Sequence, residues 1–313
     1  MPRADAPEWE LRSIRGRAYQ RDLYTSVVEG EEVDELERWI KRNFEDPGLE
    51  AINQLVNGTR MTPTEWRSIA RFVAAQDVRT PLSFIELMRL FEKEGPAILD
   101  ECVRDFAQSR QRPRTDGDAI ERNPYIHPFG ESLRVRLEKM GKPNAEKARV
   151  SVEVSTPRKL WLASIRQILT NSADKLCQQR WSVAKPYGEE DWPTTDHPVI
   201  RLNYYARENY DFAGGWEKPG SELFMPISPK HLVCAQVGRR IQNRLDCTIE
   251  GTKMLQHLIV ERAHRWVFAR RPELWVARVK PRVIDQAAFE AEKNIWKNWP
   301  EQQLKAEQPS PKS

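Results

Sequence analysis

The chain has 313 residues, a length typical of one large domain or two modest ones. Hydrophobic residues make up 39% and charged residues 31%, and 11 Trp, 10 Phe and 7 Tyr can build a core, which excludes a wholly disordered chain. With 50 basic against 46 acidic residues the formal net charge is +4, so the total charge alone does not identify a partner.

The four cysteines, Cys102, Cys177, Cys234 and Cys247, are far apart in the chain. No CxxC pair occurs, which excludes a zinc ribbon or a thioredoxin-type site. Sparse cysteines favour a reducing compartment, and we expect a cytoplasmic protein. The first residues lack the apolar core of a secretory signal, and no apolar run reaches about 18 residues, so we expect no association with a membrane.

The N-terminal half is predicted to be helical. Apolar residues recur at helical spacing from Glu31 onward, at Val33, Leu36, Trp39, Ile40 and Phe44. Pro47 and Gly48 predict an interruption of this helix. The residues Thr62–Glu65 form a capping box with proline at the first helical position, and the helix they begin is predicted to end before Pro81. A longer helix is predicted over about 82–108, with a break at Gly95–Pro96.

The second half mixes helices with strands. Residues 109–130 are predicted to form a loop, 132–140 and 144–152 weak helices, and 159–179 a stronger helix. Short runs rich in β-branched and aromatic residues then predict strands at 180–186, 194–203, 222–225 and 231–237. Pro226 and Pro229 bracket a turn, which favours an antiparallel hairpin. We expect a surface loop at 204–221 and a final helix at about 247–270.

These elements predict an α+β fold, in which a helical N-terminal block packs on a small, mostly antiparallel sheet and a C-terminal helix follows. The expected organisation is an N-terminal arm (1–20), a single α+β domain (21–280) and a C-terminal extension (281–313). The end of the extension is polar from about Asn298 and is expected to be disordered.

Three segments carry a family resemblance: 72–81 (FVAAQDVRTP), 194–199 (TTDHPV) and 222–232 (ELFMPISPKHL). In order and spacing they resemble the bacterial domain-of-unknown-function family 4238 over roughly residues 20–270. The second segment is similar to that family's Thr-Ser-Asp-Asn-Pro-Val element. The chain departs from the family's opening His–aromatic–Val–Pro element, because no histidine precedes His127. The resemblance implies no particular reaction, since the family has no agreed one.

Asp196 is the first candidate for chemistry, because it lies in the sharp bend between two strand-like runs. Thr194 and Thr195 can hydrogen-bond a bent backbone, and Pro198 restricts the exit from the bend. In one interpretation Asp196 caps N–H groups of the turn. In the other it is a general base or a carboxylate ligand of a divalent metal such as Mg²⁺ or Mn²⁺.

Glu37, Gln76 and Arg79 are the candidate partners of Asp196, because polar groups on apolar helix faces need hydrogen-bond or charge partners. Glu37 and Arg79 could form a structural ion pair. Alternatively, all four residues could line a polar pocket in which Arg79 grips a phosphate or a carboxylate. The sequence leaves both interpretations open.

His257, Glu261 and His264 are spaced so that they share one face of a helix. The Glu-x-x-His spacing matches one half of a carboxylate-bridged di-iron site, but it occurs once and such a site needs two. The pattern therefore favours a solvated or half-buried helix face over a metal site.

A basic stretch from Glu261 to Arg282 interleaves cationic residues with Trp266, Phe268 and Trp275. Such a pattern can hold a phosphate backbone and stack bases, and the candidate substrate-binding residues are Arg262, Arg265, Trp266 and Arg270. The alternative is a helix end whose cations complement its dipole.

Two functional hypotheses follow. The first is a phosphodiester-directed hydrolase, such as a nuclease used in cell defence or as a toxin, with Asp196, Glu37, Gln76 and Arg79 at its site. The second is a binding module without catalysis, for nucleic acid or for a partner protein. No Gly-rich phosphate loop, GxSxG or HExxH motif occurs, so the hydrolases, kinases and dehydrogenases that such motifs reveal are excluded.

Overall fold

The structure is a computed structural model and describes residues 9–11, 26–28, 31–111, 133–139, 148–154, 157–206, 208–239 and 244–280. Contacts divide the chain into two compact units, one formed by residues 1–82 with 169–313 and the other by residues 83–168. The predicted arm and extension lie almost wholly outside the described residues, so their limits and the expected disorder stay predictions.

The first unit begins with an antiparallel pair, β1 (Ser26–Val28) and β2 (Glu31–Val33). Helix α1 (Glu35–Ile40) then runs through a π-helical turn (Lys41–Glu45) into α2 (Asp46–Val56). The predicted interruption at Pro47 and Gly48 is wrong. Proline lacks an N–H group and clashes with the carbonyl four residues earlier in a helix, and the wider π-helical turn directly before it accommodates both.

Helix α3 (Pro63–Val78) begins at the predicted capping box. Thr62 Oγ1 accepts a hydrogen bond from the backbone N–H of Glu65, and the Glu65 carboxylate accepts one from the N–H of Thr62. The helix packs against α2 and α6 (Ala173–Cys177). Its buried face contains three alanines, Ala70, Ala74 and Ala75, whose small side chains permit this close packing.

Helix α4 (Pro81–Gln111) continues through Gly95 and Pro96, so the break predicted there is absent. Most of α4 belongs to the second unit, together with β3 (Leu133–Lys139), β4 (Ala148–Val154) and most of α5 (Pro157–Asn171). Within this unit Phe84 of α4 packs edge-to-face on Trp161 of α5, with 5.3 Å between the ring centroids.

Strands β3 and β4 form an antiparallel hairpin whose register runs from Leu133 opposite Val154 to Lys139 opposite Ala148. The weak helices predicted over 132–140 and 144–152 are therefore wrong. In β3, apolar residues alternate with Arg134 and Arg136, which is the period of a strand and not of a helix.

The six-stranded sheet of the first unit has the order β11-β5-β10-β9-β7-β8. Its members are β5 (Trp181–Lys185), β7 (Ile200–Ala206), β8 (Asn209–Asp211), β9 (Glu222–Ser228), β10 (His231–Gln236) and β11 (Arg244–Asp246). All neighbours are antiparallel except β11, which is parallel to β5. The predicted α+β fold and the β9–β10 hairpin are confirmed, whereas part of the predicted loop at 204–221 is the β7–β8 pair.

Helix α7 (Ile249–Glu261) covers this sheet through Leu258 and Ile259, which pack with Ile200, Phe224 and Leu232. The helix ends nine residues before the predicted limit at Arg270. It is followed by β12 (Val267–Phe268), which pairs antiparallel with β6 (Thr194–Thr195), and by α8 (Val276–Val279). Among the helices described, none has the length and apolar character needed to cross a membrane.

Candidate functional site

A buried hydrogen bond joins the end of α3 to the bend that carries Asp196. Thr80 Oγ1 and His197 Nδ1 are 2.7 Å apart, and both side chains are buried. Thr80 and His197 belong to two of the three segments that carry the family resemblance. These two segments therefore meet in space, and they meet through residues that the sequence analysis did not select.

The bend itself is held by Thr195. Its Oγ1 donates a hydrogen bond to the carbonyl of His197 over 2.8 Å and accepts one from the His197 N–H over 3.2 Å. This agrees with the predicted role of the threonines in bonding a bent backbone. Because both bonds fix residue 197, the imidazole is presented from a rigid backbone.

Asp196 binds the turn that follows α7. Its Oδ1 accepts the N–H of His264 at 3.0 Å, its Oδ2 accepts the N–H of Arg265 at 2.8 Å, and its own N–H donates to the carbonyl of Trp266 at 3.2 Å. Burial raises the pKa of Asp196, while these backbone hydrogen bonds oppose that rise. The bonds also explain why the predicted helix stops early, since two N–H groups that a longer helix would use are bound to Asp196.

His197 is the most unusual residue of the site. Its side chain is 1% exposed, and within the described part of the chain its Nε2 has no hydrogen-bond partner. Burial, and then the positive charges of Arg262, Arg201 and His264, lower the pKa of His197 to about 3. The imidazole is therefore neutral near pH 7. Thr80 binds one of its ring nitrogens, and no described residue binds the other.

Asp77 forms the second buried polar contact at this end of α3. It is 3% exposed, its Oδ2 accepts a hydrogen bond from Trp216 Nε1 at 2.8 Å, and Arg201 Nε lies 3.5 Å from the same oxygen. The sequence analysis missed Asp77, although a signal existed. Asp77 follows Ile69 and Val73 at steps of four, so it continues the buried stripe of the helix, where a carboxylate needs a partner.

The residues predicted to join Asp196 lie elsewhere. Glu37 is exposed on α1, and Gln76 is half-buried in α3. Arg79 forms an ion pair with Glu45 of the π-helical turn, and no described contact joins it to Glu37, the possible partner that the sequence suggested. None of the described contacts of Asp196 involves Glu37, Gln76 or Arg79, and their catalytic roles stay predictions.

Two of the four predicted substrate-binding residues contact Asp196, and a third lies near His197. Arg265 and Trp266 share the hydrogen-bonded turn with Asp196, and Arg262 lies close enough to His197 to influence its pKa. The Arg262 guanidinium also lies over the Phe212 ring, 5.6 Å from its centroid. The fourth, Arg270, is 3.8 Å from a carboxylate oxygen of Asp191.

The predicted helix face of His257, Glu261 and His264 is only partly present, because His264 lies beyond the end of α7. His257 Nε2 is 3.6 Å from Glu261 Oε2, and the Tyr210 hydroxyl donates to the same oxygen over 2.6 Å. In the part of the chain that the structure describes, no group of three or more His, Cys, Asp or Glu side chains is arranged to hold a metal ion.

The fold and the site define an α+β protein in which a buried threonine–histidine pair and an aspartate-bound turn meet beside arginine side chains. The chain belongs to the family described as "Protein of unknown function (DUF4238)", whose sequence profile matches residues 3–273. This match confirms the family that the three segments predicted. No curated protein and no solved structure matches the chain.

Proposed function

We propose that the protein is a phosphodiester-directed hydrolase whose site is centred on His197. The observation that supports this proposal is a neutral, buried imidazole whose Nε2 has no hydrogen-bond partner among the described residues, near the positive charges of Arg262 and Arg201. A general base beside cationic groups is a combination that can hydrolyse an anionic phosphate ester.

The arginines and the histidine divide the chemistry between them. Guanidinium groups bind phosphate oxygens bidentately and stabilise charge that develops during displacement at phosphorus. In the tautomer whose Nδ1–H donates to Thr80, Nε2 of His197 carries the lone pair that accepts a proton from the attacking water. The water oxygen bonds to phosphorus as the P–O bond to the leaving nucleotide oxygen breaks, and that oxygen takes up a proton from solvent. Burial lowers the pKa of His197 most, and nearby positive charges lower it further. A bound phosphate offsets the contribution of those charges, so substrate binding makes the imidazole a stronger base.

Asp196 receives a positioning role in this proposal, because both of its oxygens bind the backbone of residues 264 and 265. Coordination of Mg²⁺ or Mn²⁺ by Asp196 is the competing assignment. The wider proposal includes a cytoplasmic nuclease acting in cell defence or as a toxin, as the sequence analysis expected.

The test is cleavage of labelled single-stranded RNA and DNA by the full chain, with Mg²⁺, Mn²⁺ or a chelator, beside His197→Asn and His197→Gln. Asparagine can keep the hydrogen bond to Thr80 while removing Nε2, whereas glutamine places its amide nearer to the Nε2 position. We expect His197→Asn to lower the cleavage rate by about 100-fold or more, which is the usual contribution of a general base.

Full cleavage by a folded His197→Asn protein would contradict the proposal. Cleavage that the chelator abolishes and that Asp196→Asn removes would assign a metal to Asp196 instead. If the unaltered protein cleaves no strand under any of these conditions but binds nucleic acid with a steep salt dependence, the non-catalytic binding module is the better description. The exposed Trp266 and Arg265 beside Asp196 favour nucleic acid as the ligand in that case.

A further inference from the structure

Trp266 is a large aromatic side chain that stays 41% exposed although its backbone is held on both sides. Its carbonyl accepts the N–H of Asp196, and the next residue, Val267, pairs with Thr195 in the β6–β12 ladder. The two residues before it are held by the carboxylate of Asp196. An exposed indole on so constrained a backbone loses little conformational entropy when it binds a ligand.

Positive charge accompanies this indole. Arg265 is exposed directly before Trp266, and Arg262 lies at the end of α7 with its guanidinium over the Phe212 ring. Further along the basic stretch, the guanidinium groups of Arg270 and Arg271 face the carboxylates of Asp191 and Glu273. Arg262 and Arg265 thus place two cationic side chains on the α7 side of Trp266.

We propose that Trp266 stacks one unpaired base while Arg265 and Arg262 bind the flanking phosphates, so that the ligand is single-stranded nucleic acid. In a duplex the bases stack on one another and present only their edges, so an aromatic face on a protein surface can stack only with an unpaired base. Asp196 binds this turn and directly precedes His197 in the chain, so the turn borders the proposed site. In that respect the inference rests on the proposed function, since it names the substrate class of the same site.

The binding experiment uses the full chain carrying His197→Asn, in which the proposed cleavage cannot consume the probe. Fluorescence anisotropy compares three labelled probes with equal numbers of phosphates: a single strand, a hairpin duplex, and the same single strand with abasic residues in place of nucleotides. The proteins are this parent, Trp266→Leu, Trp266→Phe and, as a control, Tyr187→Leu, which removes an aromatic side chain that is 55% exposed on a different turn.

We expect Trp266→Leu to weaken binding of the single strand by about 5- to 150-fold, the range measured for loss of one stacked base. Trp266→Phe keeps an aromatic face and should stay within about threefold of the parent, because base stacking tolerates different rings. Duplex affinity should change in neither variant, and Tyr187→Leu should bind like the parent. The parent should bind the abasic strand as weakly as Trp266→Leu binds the normal strand. The comparison of the two strands on the parent tests stacking without any change in the protein.

Equal affinity of the parent for abasic and normal strands would overturn the inference, as would binding of neither strand at low salt. An equal loss of duplex and single-strand affinity in Trp266→Leu would also overturn it. Its failure is distinguishable from failure of the proposed function. If binding depends on Trp266 and on the bases but the unaltered protein does not cleave, the hydrolase proposal is refuted and the stacking inference stands. If cleavage depends on His197 but binding does not depend on Trp266, the stacking inference is refuted and the hydrolase proposal stands.

Discussion

At the scale of single residues, the site combines a carboxylate and an imidazole. Both oxygens of the carboxylate accept hydrogen bonds, whereas only one nitrogen of the imidazole has a hydrogen-bond partner among the described residues. Asp196 binds two backbone N–H groups, so its side chain stabilises the fold whatever else it does. His197 uses Nδ1 for Thr80 and leaves Nε2 buried without a partner in the described structure. A buried polar atom without a hydrogen bond costs free energy of folding, which is why such atoms are more common at functional sites than in ordinary cores.

The lowered pKa of His197 predicts a pH-dependent free energy of unfolding. The unfolded chain protonates this histidine near pH 6.5 and the folded chain near about 3, so between these values the unfolded state binds more protons. Acidification through this interval should lower the free energy of unfolding by up to about 1.4 kcal/mol per pH unit, with no contribution above it. Urea titrations of the unaltered protein and of His197→Asn across the interval measure the effect.

The difference between these two proteins isolates the histidine. Asp196, whose raised pKa acts in the opposite direction and destabilises the fold as pH rises, is common to both and largely cancels. Equal slopes with pH in the two proteins would show that His197 does not titrate as its buried position requires.

Substitution of Asp196 by alanine should destabilise the protein by roughly 2–5 kcal/mol, because two backbone N–H groups lose a charged acceptor. Asp196→Asn keeps one acceptor oxygen and should cost less. The free energy of unfolding from urea denaturation checks this order. A change within about 0.5 kcal/mol for Asp196→Ala, as is usual at surface sites, would mean that the turn at 264–266 is stable without the hydrogen bonds to Asp196.

At the scale of elements, the N-terminal helices depend on one close approach. Gly48 of α2 lies against Phe72 of α3, and a Cβ atom built at position 48 would be 2.5 Å from the Cβ of Phe72. That separation is far below van der Waals contact, so only glycine lets the two helices pack at this distance. Gly48 of α2 therefore allows α2 to pack closely on α3, and the π-helical turn directly precedes this contact.

Gly48→Ala should lower the free energy of unfolding by about 1–3 kcal/mol, the usual cost of overpacking. Gly251 of α7 is the matched control, since a Cβ there would lie 3.5 Å from Thr248 Oγ1, an ordinary contact. Alanine at position 251 should stabilise the helix by about 0.5–1 kcal/mol. Thermal or urea denaturation of both variants checks the opposite signs, and stabilisation by Gly48→Ala would contradict the packing argument.

At the scale of the whole molecule, the site is assembled within the first unit from segments that are distant in the chain. The end of α3, the 194–198 bend, β7 and the turn after α7 each contribute at least one of its side chains. The cleavage and stacking experiments belong to this scale, because the roles proposed for His197 and Trp266 require the folded molecule to keep these segments in place. The small net charge of +4 does not by itself indicate a nucleic-acid ligand, and the proposal is supported instead by the local arginines around Trp266.

The sequence alone determined the features that depend on neighbouring residues. The capping box at Thr62–Glu65, the hairpin around Pro226 and Pro229 and the α+β class all follow from propensity, turn chemistry and period, which act over a few residues. Where two periods competed, as at 133–139, the helical interpretation was wrong. The family could also be predicted from the sequence, because its motifs are short and local.

Only the tertiary structure decided which polar groups meet. Thr80 and His197 are 117 residues apart, and Asp196 is 68 residues from His264, so no local pattern encodes either contact. For Arg79 the sequence suggested Glu37 as a possible ion-pair partner, whereas packing of the π-helical turn brings Glu45 to it. The physical reason is that a side chain's spacing along a helix determines the face it occupies, whereas its partner is determined by the element that packs on that face.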